Sequence, residues 1–344
     1  MLISKLTIAA DDTTGPPADH VAYFIGDYPC RADGTPIEGI RHKASRTTLT
    51  PDLVADHSFS SKPQAGRYAD YYEKMTTYAS IIASQAQAID PELSPKTFPV
   101  ITTEEEESVF CYIDTASSRA GIAAVSTKLE TGPVAIVGLG GTGSYVLDLL
   151  AKTPVREIHL YDRDTFSQHN AFRSPGAPTA AELQTHPTKV EHFSRVYSAI
   201  RRRISPHPYH ITDDNSDELR EFTFVFLCMD GAGAKKAIID KLVVFGIPFI
   251  DVGMGVDLIE GKLGGILRVT TSTPDRRDHI DRRISFGAND DEYATNIQVA
   301  DLNALNAALA VIRWKKHLGF YRDERGEHHT TYTISANMLL SEET

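Results

Sequence analysis

The chain has 344 residues, 41% hydrophobic and 24% charged, a globular composition with length for one large or two ordinary domains. Its 35 basic and 46 acidic residues leave a formal charge of −11, which argues against nucleic acid or an anionic membrane as partner, because phosphate binding needs a clustered excess of Lys and Arg. Cys30, Cys111 and Cys228, far apart and odd in number, argue against a disulfide scaffold or a paired-cysteine zinc site, and no apolar run suits a spanning helix or a signal peptide, so a cytoplasmic protein is expected.

Strand-like pieces at His20–Ile25 and Tyr112–Ile113 stand among Pro, Gly and Asp punctuation. A helix is predicted over Asp70–Ala88, where Met75, Tyr78, Ile81 and Ile82 recur at helical spacing. Residues 1–115 read as a separate small α+β domain and residues 116–344 as a second domain, which a helix over Ser117–Leu129 opens. From Pro133 strands and helices alternate. The pattern predicts a strand at Val134–Val137, a helix at Gly143–Lys152, a strand at Glu157–Tyr161, a helix at Thr188–Arg203 and a strand at Tyr209–Ile211. Phe222–Met229 is almost continuously apolar, as in a strand buried on both faces of a parallel sheet. A helix at Ala232–Phe245 and a strand at Pro248–Val252 follow. This alternation predicts an α/β fold, a Rossmann-like doubly wound sheet preceded by the smaller α+β domain. Beyond it come a strand at Lys262–Thr270, a polar loop at Thr271–Thr295, a helix at Gln298–Leu318 and a strand at Thr330–Ser335. Cys228 reads as a core residue and Arg201–Arg203 as a solvated helix end, while Asn303 and Asn306 on the last helix have no assigned role.

The sharpest local feature is Val137-Gly138-Leu139-Gly140-Gly141-Thr142-Gly143-Ser144, placed where a strand turns into a helix. Glycines there let backbone N–H groups approach a phosphate, and the helix N-terminus adds partial positive charge. Asp162, at the end of the next strand, and Asp164 beside it can accept ribose hydroxyls. A nicotinamide enzyme needs no more than this. Asn170 and Arg173, three apart, Lys189 at the start of the next helix and Asp230 at the end of the buried strand go further. Cations near a phosphate site neutralise charge that builds during nucleotidyl transfer, and an Asp at a strand end suits Mg²⁺.

Taken together, GLGGTGS (138–144), DRDTFSQHNAFRS (162–174), TKV (188–190) and CMD (228–230) resemble, in order and spacing, the ThiF/MoeB/E1 superfamily, the ATP-dependent enzymes that activate ubiquitin-like proteins and sulfur carriers. The resemblance extends over about residues 117–320, and the whole chain is similar to ThiF-type proteins with an extra N-terminal domain from bacterial ubiquitin-like conjugation operons. It implies that Gly138, Gly140, Gly141 and Gly143 cradle phosphates, that Asp162 with Asp164 serves the ribose, and that Asn170, Arg173 and Lys189 hold the triphosphate. It also implies that Asp230 binds Mg²⁺ and that Arg119 is offered to the nucleotide, often that of a dimer mate. The implied chemistry is adenylation of the C-terminal carboxylate of a ubiquitin-like or sulfur-carrier protein ending in Gly. ATP and Mg²⁺ would be used without zinc, in a homodimer, with an E2-like protein as a further partner. No cysteine follows Cys228, so the usual thioester step is not expected; Ser285 and Thr295 are the hydroxyls in the corresponding region. The competing readings are an NAD(P)-dependent oxidoreductase, resting on the glycine spacing and Asp162, and a non-catalytic adaptor.

Overall fold

Met1–Pro99 and Val100–Thr344 form two separate units in the computed structural model. The structure describes every residue except 9–13, 44, 52, 105–107, 230–231, 287–296 and 343–344.

The first unit contains β1 (Leu2–Ile3), β2 (Val21–Phe24), β3 (Arg41–Lys43), β4 (Thr47–Thr50), β5 (Leu53–Ala55), β6 (His57–Ser60) and α1 (Tyr71–Gln87). Four strands make an antiparallel sheet in the order β1-β2-β6-β3, and β4 and β5 make a hairpin. The helix begins where the Asp70 carboxylate accepts the Glu73 N–H. It buries Tyr78 against Ala22, Phe59 and Tyr68. The Tyr78 hydroxyl accepts from the Ser61 N–H at 2.6 Å, and burial pushes its pKa up to about 12. This is the small α+β arrangement expected ahead of the larger fold.

The second unit opens with α2 (Thr115–Ala120) and α3 (Ala123–Ser126). The single helix expected over Ser117–Leu129 is broken because Gly121 takes the left-handed conformation, φ +67°, and caps α2. The strand expected at Tyr112–Ile113 is reduced to one bridge between Thr102 and Tyr112. Then follow β7 (Val134–Val137), α4 (Gly141–Ala151), β8 (Ile158–Tyr161), α5 (Gln168–Ala171), α6 (Ala180–Gln184), α7 (Lys189–Tyr197), β9 (Ile204–His207), β10 (Phe224–Leu227), α8 (Ala232–Phe245), β11 (Phe249–Ile259), β12 (Lys262–Ser272), α9 (Ile280–Arg283), α10 (Ala300–His317), β13 (His329–Thr333) and β14 (Met338–Glu342).

These strands form one sheet in the order β14-β13-β12-β11-β10-β7-β8-β9. From β9 to β11 it is parallel and doubly wound; from β11 to β14 it is antiparallel. The strand expected to stop at Val252 runs on to Ile259 and turns at Glu260-Gly261, both at positive φ, into β12. Alternate residues of β7 serve two cores. Val134 and Ile136 pack with Phe226, Phe193 and Trp314, whereas Ala135 and Val137 pack with Val225, Ile238 and Leu242.

Two expectations between β8 and β10 fail for a common reason. Helix α7 stops at Tyr197, and Arg201 is fully buried instead of solvated. Its guanidinium donates to the carbonyls of Thr153 and Val155, at 3.3 and 2.6 Å, and burial lowers its pKa to about 10. The chain leaves the helix to insert this cation, so the following strand forms at Ile204–His207 rather than Tyr209–Ile211. Pro206 is tolerated there because β9 is the edge of the sheet. Among the described residues no helix is long and apolar enough to cross a membrane.

Candidate active site

Strand β7 lies where the winding direction reverses, between β8 and β10, and the crevice at the carboxyl end of such a strand is the usual ligand position of an open α/β sheet. The glycine turn fills that place. A Cβ on Gly138 would lie 2.6 Å from the Cys228 carbonyl oxygen, one on Gly141 would lie 2.0 Å from the Asn303 amide, and one on Gly143 would lie 2.0 Å from the Gly138 carbonyl oxygen. Those three glycines fold the turn tightly onto its neighbours. Gly140 differs: a Cβ there would meet nothing within 4 Å, and the residue lines a cavity of about 820 Å³. Bare backbone at the start of α4 therefore faces open space.

The same cavity is lined by Asp162, Asp164, Asn170, Arg173 and Lys189, five positions scattered over 28 residues of sequence that the fold collects. Asp162 is buried. Its carboxylate accepts the N–H groups of Leu139 at 2.8 Å and Asp164 at 2.9 Å, so it ties the glycine turn to the end of β8. Lys189, in the first turn of α7 behind its Thr188 cap, reaches both acids. Its ammonium stands 2.7 Å from Asp164 and 3.3 Å from Asp162. Burial would raise the Asp164 pKa, but the Lys189 hydrogen bond and charge outweigh it and hold the carboxyl below its ordinary value. His210 Nε2 lies 3.9 Å from Asp164, and the ligand atoms of Asp162, Asp164 and His210 fall within 4.8 Å of one another. The Lys189 ammonium already satisfies this acidic group.

Asn170 is buried in the capping box of α5, where its Oδ1 accepts the Ser167 N–H at 2.8 Å. Its first duty is thus to shape the segment that presents Arg173. The Arg173 Nε is buried without a hydrogen-bond partner, which suits a cation awaiting an anion. Burial, then the charges of Arg173 and Lys189, lower the pKa of His169 on the same wall.

Arg119 is exposed on the last turn of α2 and does not line the cavity. Ser285 is exposed and does not line it either. Asp230 and Thr295 lie outside the described residues. Cys228, expected in the core, is half-buried and lines the cavity, because β10 ends one residue before it.

Sequence reasoning missed the contribution of α10. Asn303 accepts the Thr142 hydroxyl at 2.9 Å and donates to the Arg173 carbonyl at 3.3 Å, joining the glycine turn to the arginine segment from behind. Asn306, three residues on, donates to the Gly253 carbonyl at 3.1 Å and lines the cavity with Gln298. The available signal was two amides set into an apolar helical stripe. Also missed was Asp251, fully buried between Lys235 at 2.8 Å and Arg268 at 3.1 Å beneath the β11 wall.

Residues 1–115 match a domain of unknown function, DUF6791, and residues 116–277 match the ThiF family. The chain carries a ThiF family domain. Ubiquitin-like modifier-activating enzyme 5 of Drosophila virilis is 31% identical to it over 138 residues, 36% of this chain and 34% of that protein. The adenylyltransferase and sulfurtransferase uba4 of Aspergillus clavatus is 30% identical over 132 residues, 36% of this chain and 25% of that protein. The chain thus spans about a third of the length of the first of these relatives, and less of the second. Among solved structures, E. coli MccB with selenomethionine MccA superposes with a TM-score of 0.53 at 18% identity, over 66% of this chain and 70% of that one. Selenomethionine PaaA gives 0.53 at 14% identity, over 79% and 95%. At these identities the likeness is one of fold alone.

Proposed function

We propose that the protein activates a C-terminal carboxylate by ATP- and Mg²⁺-dependent adenylation, with a ubiquitin-like or sulfur-carrier protein ending in Gly as the substrate. The observation that carries the reading is the convergence of the bare Gly140 backbone, the unpartnered Arg173 Nε and the Lys189 ammonium on one cavity. Hydride transfer requires neither cation. MccB, similar in fold, has been solved with ATP and with MccA, which is in keeping with the reading.

In the proposed step a carboxylate oxygen of the partner attacks the α-phosphorus of ATP. The bond from that phosphorus to the bridging oxygen breaks, its electron pair leaves with pyrophosphate, and an acyl-adenylate forms. No protein nucleophile is required. The glycine turn offers N–H groups, Arg173 and Lys189 neutralise the phosphate charge, and Asp162 and Asp164 hold Lys189 in position. Magnesium supplies further neutralisation of the phosphate oxygens. Asp162 and Asp164 are engaged by Lys189, so the metal is assigned to Asp230, on the sequence resemblance alone. Ser285, exposed and outside the cavity lining, favours an acceptor on a second molecule, such as an E2-like protein. Arg119, exposed and away from the cavity lining, suits a cation offered to the nucleotide of a second copy. The domain of residues 1–115 is assigned to partner recruitment ahead of an adenylation domain at 116–344.

Titration calorimetry with Mg·ATP and radiolabelled ATP–pyrophosphate exchange driven by short peptides ending in Gly-Gly test the proposal. Saturable ATP binding and peptide-dependent exchange are expected, with exchange falling by about 100-fold or more in Lys189→Ala. NADH binding without ATP binding overturns it.

A further inference from the structure

We propose that the β11 side of the cavity is a subsite for peptide backbone, in which Asn306 Oδ1 accepts a main-chain N–H close to the reacting carboxylate. This rests on the adenylation reading and deepens it, by naming the acceptor atom on α10 that holds the main chain of the entering substrate beside its carboxylate.

Asn306 is fully buried on α10. Its Nδ2 donates to the Gly253 carbonyl at 3.1 Å. That carbonyl can only accept, so the amide orientation is fixed and Oδ1 points elsewhere. Oδ1 is buried without a partner. Buried acceptors are almost always satisfied, and an unmet one calls for an explanation. Gln298 Oε1, also on the cavity lining, is unmet in the same way. Two unmet acceptors repel a phosphate and attract a donor.

The topology says which donor. Asp162, the ribose residue by the sequence resemblance, follows β8, whereas Gly253 belongs to β11. With the order β11-β10-β7-β8, the two strands stand three spacings apart, about 14 Å, on opposite sides of the glycine turn. A nucleoside directed toward Asp162 keeps its base away from Asn306, so the adenine amine is not the donor. Asn303, one turn earlier on the same face of α10, touches Thr142 and Arg173. Asn306 therefore lies next to the phosphate end of the site, where the attacking carboxylate must come, and the nearest N–H groups on that substrate are those of its last peptide bonds.

The test is ATP–pyrophosphate exchange with the full-length protein, driven by a short synthetic peptide ending in Gly-Gly and by analogues N-methylated in turn at the amides nearest the carboxylate. With unaltered protein, methylation of one of these amides is expected to raise KM about tenfold, the value of one hydrogen bond. In Asn306→Leu, KM for the parent peptide rises by a similar factor and the methylated analogue is no longer disfavoured. The methylation comparison uses unaltered protein and stands whether or not the variant folds. Equal KM values for parent and methylated peptides overturn the subsite, as does a discrimination that survives Asn306→Leu. Binding of Mg·ATP without exchange on any peptide also overturns it while leaving adenylation of another acid open. Failure to bind Mg·ATP brings down the adenylation reading itself.

Discussion

The Lys189 ammonium sits between Asp164, 2.7 Å away, and Asp162, 3.3 Å away, two acids separated by one residue. Their surroundings divide their labour. Asp162 is buried and accepts the Leu139 N–H, whereas the Asp164 side chain is 45% exposed at the mouth of the cavity. Asp162→Ala leaves the Leu139 and Asp164 N–H groups and a buried ammonium with a lost partner, so a stability loss of about 3 kcal/mol is expected. Asp164→Ala is expected to cost under about 1 kcal/mol in stability, since the lost pair is half in solvent, and to weaken Mg·ATP binding instead. Urea unfolding beside titration calorimetry separates the two; equal stability losses would refute the division.

The four glycines of the turn are expected to behave unequally. Gly138→Ala drives a Cβ into the Cys228 carbonyl and forces a residue at φ +91° to carry a side chain, so misfolding or a loss of several kcal/mol is expected. Gly140→Ala meets nothing within 4 Å, and φ −66° suits alanine, so the fold should be kept. The new methyl group points into the space assigned to phosphate, and ATP affinity should fall at least tenfold. Circular dichroism melts with ATP titrations decide the matter, and a Gly140→Ala protein that binds ATP normally would remove phosphate from that place.

Acid should loosen the tie between Glu327, just before β13, and Arg313 and Lys316 on α10. Burial would raise the Glu327 pKa, but backbone hydrogen bonding and the nearby Arg313 and Lys316 outweigh it and hold the carboxyl at about 2, against an ordinary 4.5. A depressed carboxyl stabilises the fold fully above its unfolded value and loses that contribution as pH falls toward the folded one. Glu327→Gln should therefore be less stable than the unaltered protein at pH 7, by about 2 kcal/mol, with the gap closing between roughly pH 4.5 and 2. Thermal melts of both proteins across that range test it; a constant gap would show that the charge is not responsible.

The parallel half of the fold was legible because its signals are local. Val134–Val137 was read to its observed boundaries, and the helix Ala232–Phe245 likewise. The glycine turn between a strand and a helix, and the position of Lys189 at a helix start, were legible because glycine spacing and cap chemistry are also local. Arg201 was misread because a charged residue in a basic run carries no sign of the two carbonyls, 46 and 48 residues upstream, that receive it. The continuation of β11 past Val252 was missed because Gly253 and Gly255 break the apolar run, and it is held by pairing with β12 rather than by its own composition. Asn303 and Asn306 were undecided for the same reason: their partners, Thr142, Arg173 and Gly253, come from three distant places in the chain.

The span of 161 residues between Thr142 and Asn303 has a consequence for biosynthesis. A nascent chain can form the early strand, turn and helix long before the ribosome has made the amide that locks them from the rear. Ligand-binding competence should thus arrive abruptly, as a late event of translation, and truncated products that end before α10 should be born unable to trap nucleotide.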